Sequence, residues 1–137
     1  MVGIDILRAG GSAVAAAIAT NAALSVIEPH MCGLGGDLFA LVWDPSEQGL
    51  IGLNASGKSP AELSYDAMKS LCTDGHVPLR GPLSLSEPGA VDGWCMLHDS
   101  YGKSSLADVL RPARALAEQG AAIGAKTAGA WNGASAG

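Results

Sequence analysis

Ile4, Leu7, Val14 and Ile18 recur at spacings that place them on one helical face, and alanines fill the chain to about Ala23. Gly10 and Gly11 interrupt the pattern. Each glycine in a helix interior costs roughly 1 kcal/mol relative to alanine. The pair therefore predicts a break between a short helix and an Ala-rich helix with Ser12 as its N-cap. Glu28-Pro29 closes that second helix, because the residue before proline is pushed out of the α region. After a glycine-dense loop from Met31 to Asp37, the apolar run 38–43 has the length of a strand. Residues 44–49 predict a turn, and 50–54 return as the second strand of a hairpin.

Pro60 and Glu62 predict the opening of a short helix reaching about Leu71. A loop follows, and residues 83–86 have the makings of a short strand. Pro88 suits the first turn of the next helix, in which Val91, Trp94, Cys95, His98 and Tyr101 share a face against the core. Gly102 stops it. Ser104 or Ser105 caps a last stretch with Leu106, Val109, Leu110, Ala113 and Leu116 inward, divided by Pro112 and ending at Gly120. Residues 1–123 form one unit on this pattern. Residues 124–137 lack any period and are expected to be a low-complexity, disordered tail.

The chain has 137 residues, of which 48% are apolar and 15% charged, enough for one well-buried core. Net charge is −5 with scattered Arg and Lys, so no nucleic-acid partner is expected. The Ala-rich stretch is broken by Thr20, Asn21 and Ser25 and is too weakly apolar for a membrane segment. Asp5 and Arg8 stand where the apolar stretch of a leader peptide would begin, so no leader is expected. Cys32, Cys72 and Cys95 form no CxxC, and His30-x-Cys32 lacks a second ligand pair at zinc spacing. Neither metal nor cofactor is expected. The loop at Gly33-Leu34-Gly35-Gly36 runs into a strand, whereas phosphate loops run into a helix, which favours tight backbone packing over phosphate binding. His30 and Asp37 flank that loop as candidates to hydrogen-bond it in place.

Four segments, in order, carry a resemblance. Residues 6–17 (ILRAGGSAVAAA) resemble the signature "ILxxGGNAVDAA" of the γ-glutamyltransferase family. Glu28-Pro29-His30 with Gly33-Leu34-Gly35-Gly36-Asp37-Leu38-Phe39 resembles its "EPxxSGxGGGGF". Residues 54–60 (NASGKSP) resemble "NASGRAP", and residues 88–94, then Tyr101-Gly102 and residues 110–113, resemble "PGAVDGW…YG…LxPA". The resemblance implies an α+β chain, part of the αββα sandwich of N-terminal-nucleophile hydrolases, with 1–123 as the N-terminal part of the large-subunit domain.

In that family a precursor cuts itself, and a threonine at the new N-terminus of the small subunit attacks the γ-glutamyl amide with its own α-amine as base. The resemblance thus implies a γ-glutamyl substrate such as glutathione, a small-subunit partner carrying the threonine, and no catalytic residue in this chain. Thr20, Thr73 and Thr127 have no matching context. Lys58, Asn54 and Ser56 are the substrate-binding residues it implies, with a solvated loop cation as the alternative for Lys58. Many members carry an arginine here, within "FREMAP", that pairs with the substrate α-carboxylate. Aligning Pro60 with that proline puts Ser56 at the arginine's place, and Lys58 is the nearest cation. Lysine lacks the bidentate fork, which keeps an acylase acting on another acyl amide open. The family's Asn and Asp in its first signature are Ser12 and Ala15. A non-catalytic fragment or decoy pairing with a full-length relative, and a small-molecule-binding domain using the glycine loop, are the readings from other classes.

Overall fold

The Ser12 hydroxyl accepts the N–H of Ala15 at 3.1 Å and starts the helix around which the computed structural model is organised. The structure describes residues 1–72 and 74–135, so Thr73 and the last two residues of the expected tail lie outside it. Helix α1 spans Val2–Arg8 and α2 spans Ala13–Ile27. Between them the N–H of Gly11 donates to Ile6 O at 2.9 Å and that of Gly10 to Leu7 O at 3.0 Å. This paired closure needs a left-handed residue, and Gly10 supplies it at φ 86°.

Helix α2 buries Ala15, Ala16, Ile18, Ala19, Ala22 and Ala23. Small side chains on that face let neighbouring helices approach closely, and Gly3 of α1 comes so near that a Cβ there would lie 2.5 Å from Thr20 Oγ1. Helices α4 (Ala90–Tyr101) and α5 (Leu106–Gln119) complete the core with Trp94, Leu97, Val109 and Ala113. Strands β1 (Leu38–Asp44) and β2 (Gly49–Ala55) pair antiparallel, from Leu38 opposite Ala55 to Asp44 opposite Gly49. One face of this two-stranded sheet sets Leu38, Ala40, Val42 and Leu53 against the helical core. The other face is open: Phe39, Leu41, Trp43 and Leu50 point outward, Leu41 at 74% exposure. The chain is α+β, as its pattern predicts, with its core helices gathered on one side of the hairpin.

Several local expectations are corrected. Helix α3 runs Tyr65–Leu71 and is capped by Ser64, whose hydroxyl accepts the N–H of Ala67 at 3.2 Å. Pro60 therefore opens a turn, closed by Leu63 N–H on Pro60 O at 2.9 Å, and not the helix itself. Residues 83–86 form no strand: Pro82–Ser84 is a 3₁₀ turn, because Pro82 presets a helical φ and no strand lies alongside to pair with it. Helix α4 buries Ala90, Gly93, Trp94 and Leu97, leaving Val91 exposed and Cys95, His98 and Tyr101 half-buried. Pro112 does not divide α5, which packs along α2 through Val109 and Ala113 and so continues past its missing N–H. In the stretch expected to be a tail, residues Ala125–Ser135 form helix α6. Among the described residues no helix is long and apolar enough to cross a membrane.

Candidate functional site

The glycine loop before β1, the loop after β2 and the segment entering α4 meet at one end of the hairpin. The carbonyl of Gly36 accepts two N–H groups at the start of α4, from Gly89 at 3.1 Å and Ala90 at 2.9 Å. The carbonyl of Lys58 accepts the N–H of Glu87 at 3.0 Å. Asp37 Oδ1 accepts the Gly57 N–H at 3.0 Å and the Ser86 hydroxyl at 3.1 Å, reaching both other segments from a single atom.

Glycine is required where these backbones touch. A Cβ at Gly57 would overlap the carbonyl of Glu87, and one at Gly89 would overlap the carbonyl of Ala55. A Cβ at Gly93 would lie 2.5 Å from Leu38 Cδ2 and 2.7 Å from Ala55 Cβ. The glycines of the loop before β1 are not so confined. A Cβ at Gly33 or Gly35 would meet nothing within 4 Å and one at Gly36 only the Gly33 carbonyl at 3.4 Å, so the tight packing expected there falls instead at Gly57, Gly89 and Gly93.

Asn54 and Ser56 are brought together. The Ser56 N–H donates to Asn54 Oδ1 at 2.9 Å, an Asx-type turn that bends the chain out of β2. The Asn54 amide N–H₂ makes no hydrogen bond to protein among the described residues. Asn54 also lines an open hollow of about 630 Å³ on the outer sheet face, with Phe39, Leu41 and Gly52. The Ser56 hydroxyl is exposed, 3.5 Å from the carbonyl of Gly57. Lys58 lies two residues on, exposed and in no ion pair among the described residues, and it does not line the hollow.

Of the two residues expected to hydrogen-bond the glycine loop in place, Asp37 instead reaches outward to Gly57 and Ser86, and His30 Nδ1 is buried without a partner. Ser86 was not legible as a site residue, since nothing in its local sequence announces a contact to a residue 49 positions away. Among the described residues no cluster of His, Cys, Asp and Glu is arranged to hold a metal, and the three cysteines are free thiols, each half-buried.

At the opposite end of the hairpin, Asp44 Oδ1 accepts from the Ser46 hydroxyl and from the Ser46 N–H at 2.8 Å, and Oδ2 accepts the Tyr101 hydroxyl at 3.5 Å. The Ser46 hydroxyl, foremost, and the Ser46 N–H hold the Asp44 carboxyl below its ordinary value. Desolvation, then the Asp44 charge, pushes the Tyr101 phenol above its ordinary value. This pair ties β1 to α4 and lies away from the loop junction.

Comparison with known proteins bears on what the junction serves. The family model described as gamma-glutamyltranspeptidase matches residues 1–136. The glutathione hydrolase-like YwrD proenzyme of Bacillus subtilis is 41% identical over 124 residues, covering 90% of this chain and 23% of its own length. The crystal structure of cephalosporin acylase from Bacillus halodurans superposes with a TM-score of 0.83 at 41% identity, covering 97% of this chain and 24% of that one. That of Helicobacter pylori gamma-glutamyltranspeptidase superposes with a TM-score of 0.85 at 29% identity, covering 97% of this chain and 38% of that one. The chain spans about a quarter of the length of the curated relative and of the acylase. It belongs to the gamma-glutamyltranspeptidase family, as the N-terminal part of a large subunit.

Proposed function

We propose that this chain supplies scaffold and part of the acyl-donor pocket to an enzyme that cleaves a γ-glutamyl amide of the glutathione type. The observation that carries this is the loop 54–60: an Asx turn at Asn54 and Ser56 presents an unpaired lysine beside a junction built from three family-like segments. On this reading the Lys58 ammonium pairs with a donor carboxylate, one charge-assisted contact in place of a bidentate fork. The Asn54 amide and the Ser56 hydroxyl face the same ligand as donors.

The nucleophile comes from the small-subunit partner, as the resemblance implies. The threonine oxygen attacks the γ-carbonyl carbon, its proton passes to the threonine's own amine, and that proton leaves on the departing amine. The resulting ester transfers the glutamyl group to water or to the amine of an amino acid. The open apolar face of the hairpin is where we place the second sheet of the αββα sandwich, which removes Phe39, Leu41 and Trp43 from water. Residues 1–123 belong to that domain.

A second reading, cleavage of another acyl amide, is favoured by the likeness to the cephalosporin acylase together with Lys58 standing in for the fork. The test is kinetic, on the full-length protein that carries this chain. A γ-glutamyl anilide is expected to be turned over with a KM that rises about tenfold in Lys58→Ala, the loss of one charge-assisted contact. Turnover of a cephalosporin side-chain amide with no turnover of the anilide would replace the first reading by the second.

A further inference from the structure

We infer that Asp37 is a positioning residue that sets the substrate-facing loop 54–60 through a single carboxylate oxygen. This rests on the assignment of that loop to donor binding. Asp37 Oδ1 accepts the Gly57 N–H at 3.0 Å and the Ser86 hydroxyl at 3.1 Å, so it joins two segments that are 20 and 49 residues away in the chain. Gly57 lies between Ser56 and Lys58, two of the three loop residues assigned to the donor. The one side chain that holds its amide therefore fixes where both project.

The remaining ties in this junction are backbone to backbone: Gly89 and Ala90 on Gly36, and Glu87 on Lys58. Asp37 supplies the long-range side-chain tie; the other side-chain bond to the backbone of 57–60 in the described residues is local, from the Ser56 hydroxyl to the Gly57 carbonyl at 3.5 Å. Its neighbour Gly36 is anchored at the start of α4, so the carboxylate is aimed from a fixed base. Asp37 also stands at a glycine of the "EPxxSGxGGGGF" pattern, so the tie is absent from chains that keep that glycine.

Because both bonds use the same oxygen, the negative charge is dispensable and the carbonyl-like acceptor is not. Asparagine keeps an Oδ1 in that place, alanine removes it, and glutamate carries it one methylene too far. This separates a positioning role from an electrostatic one, in which Asp37→Asn fails along with Asp37→Ala.

The experiment uses the full-length protein carrying this chain, with two readouts. Amide hydrogen exchange followed by mass spectrometry reads the peptide over 54–60, whatever the substrate. Exchange there is expected to quicken about tenfold in Asp37→Ala, with a smaller effect in Ser86→Ala, and to return to the native rate in Asp37→Asn. Kinetics on the γ-glutamyl anilide are expected to show a KM raised about tenfold in Asp37→Ala with kcat kept, and restored in Asp37→Asn. Unchanged exchange in Asp37→Ala overturns the tie itself. Quickened exchange with unchanged KM overturns its role in donor binding while leaving the Lys58 assignment to be judged by Lys58→Ala. Asparagine as damaging as alanine in both readouts replaces positioning by charge. Should Asp37→Ala fail to fold, Asp37→Glu, which moves the acceptor one methylene away from the Gly57 N–H, carries the same comparison.

Discussion

The indole N–H of Trp94 donates to Asn21 Oδ1 across 2.9 Å, joining α4 to α2 at the edge of an otherwise apolar core. Trp94 is only 3% exposed while Asn21 is half-buried, so the indole N–H is the group that water replaces least readily. Trp94→Phe keeps most of the packing and is expected to cost about 1–3 kcal/mol, the penalty of stranding the Asn21 acceptor. Asn21→Ala is expected to cost a similar amount, and the double variant less than the two added together. Urea unfolding of the native and variant proteins checks this; strict additivity sinks the pairing.

Close backbone approach at the loop junction makes a different prediction. Gly93→Ala places a methyl against Leu38 and Ala55, side chains that give way a little, at a cost of about 1–3 kcal/mol. Gly89→Ala meets the carbonyl of Ala55, which cannot give way without moving β2. It is expected to be the more damaging of the two. Thermal melts of both variants settle the order, and equal melting temperatures would contradict the geometry.

Asp44 and Tyr101 give stability a pH dependence with opposite limits. The Asp44 carboxyl is lowered in the fold, so its contribution is complete above the unfolded value and is lost as pH falls below about 4. The Tyr101 phenol is raised, so its contribution holds below the unfolded value and is lost as pH rises beyond about 10. Asp44→Asn is expected to flatten the acid limb of a stability profile and Tyr101→Phe the alkaline limb. Profiles that keep their shape in both variants would show that the two groups titrate alike in folded and unfolded chains.

Elements that declare themselves locally were legible in the sequence. Ser12, the Gly10-Gly11 break and the apolar run of β1 each state their own conformation within a few residues. Ser64 was missed as a cap because Pro60 and Glu62 mimic a helix start, and the turn at 60–63 is decided by a bond between its own ends. Pro112 was expected to divide α5, yet packing on α2 outweighs one lost hydrogen bond. Of the site, Asn54, Ser56 and Lys58 came from a resemblance, whereas the Asp37 tie to Gly57 and Ser86 is long-range and belongs to the tertiary structure alone.

The central claim, that this chain is scaffold and pocket wall for a nucleophile carried elsewhere, is tested most directly by reconstitution. The chain is purified by itself, then mixed with a separately expressed small subunit of a relative, and each sample is assayed on a chromogenic γ-glutamyl anilide. The account predicts no release of the aniline from the chain alone and release on mixing. Turnover by the chain alone would contradict it, and would direct the search for a nucleophile to Ser56, Ser59 and the three cysteines.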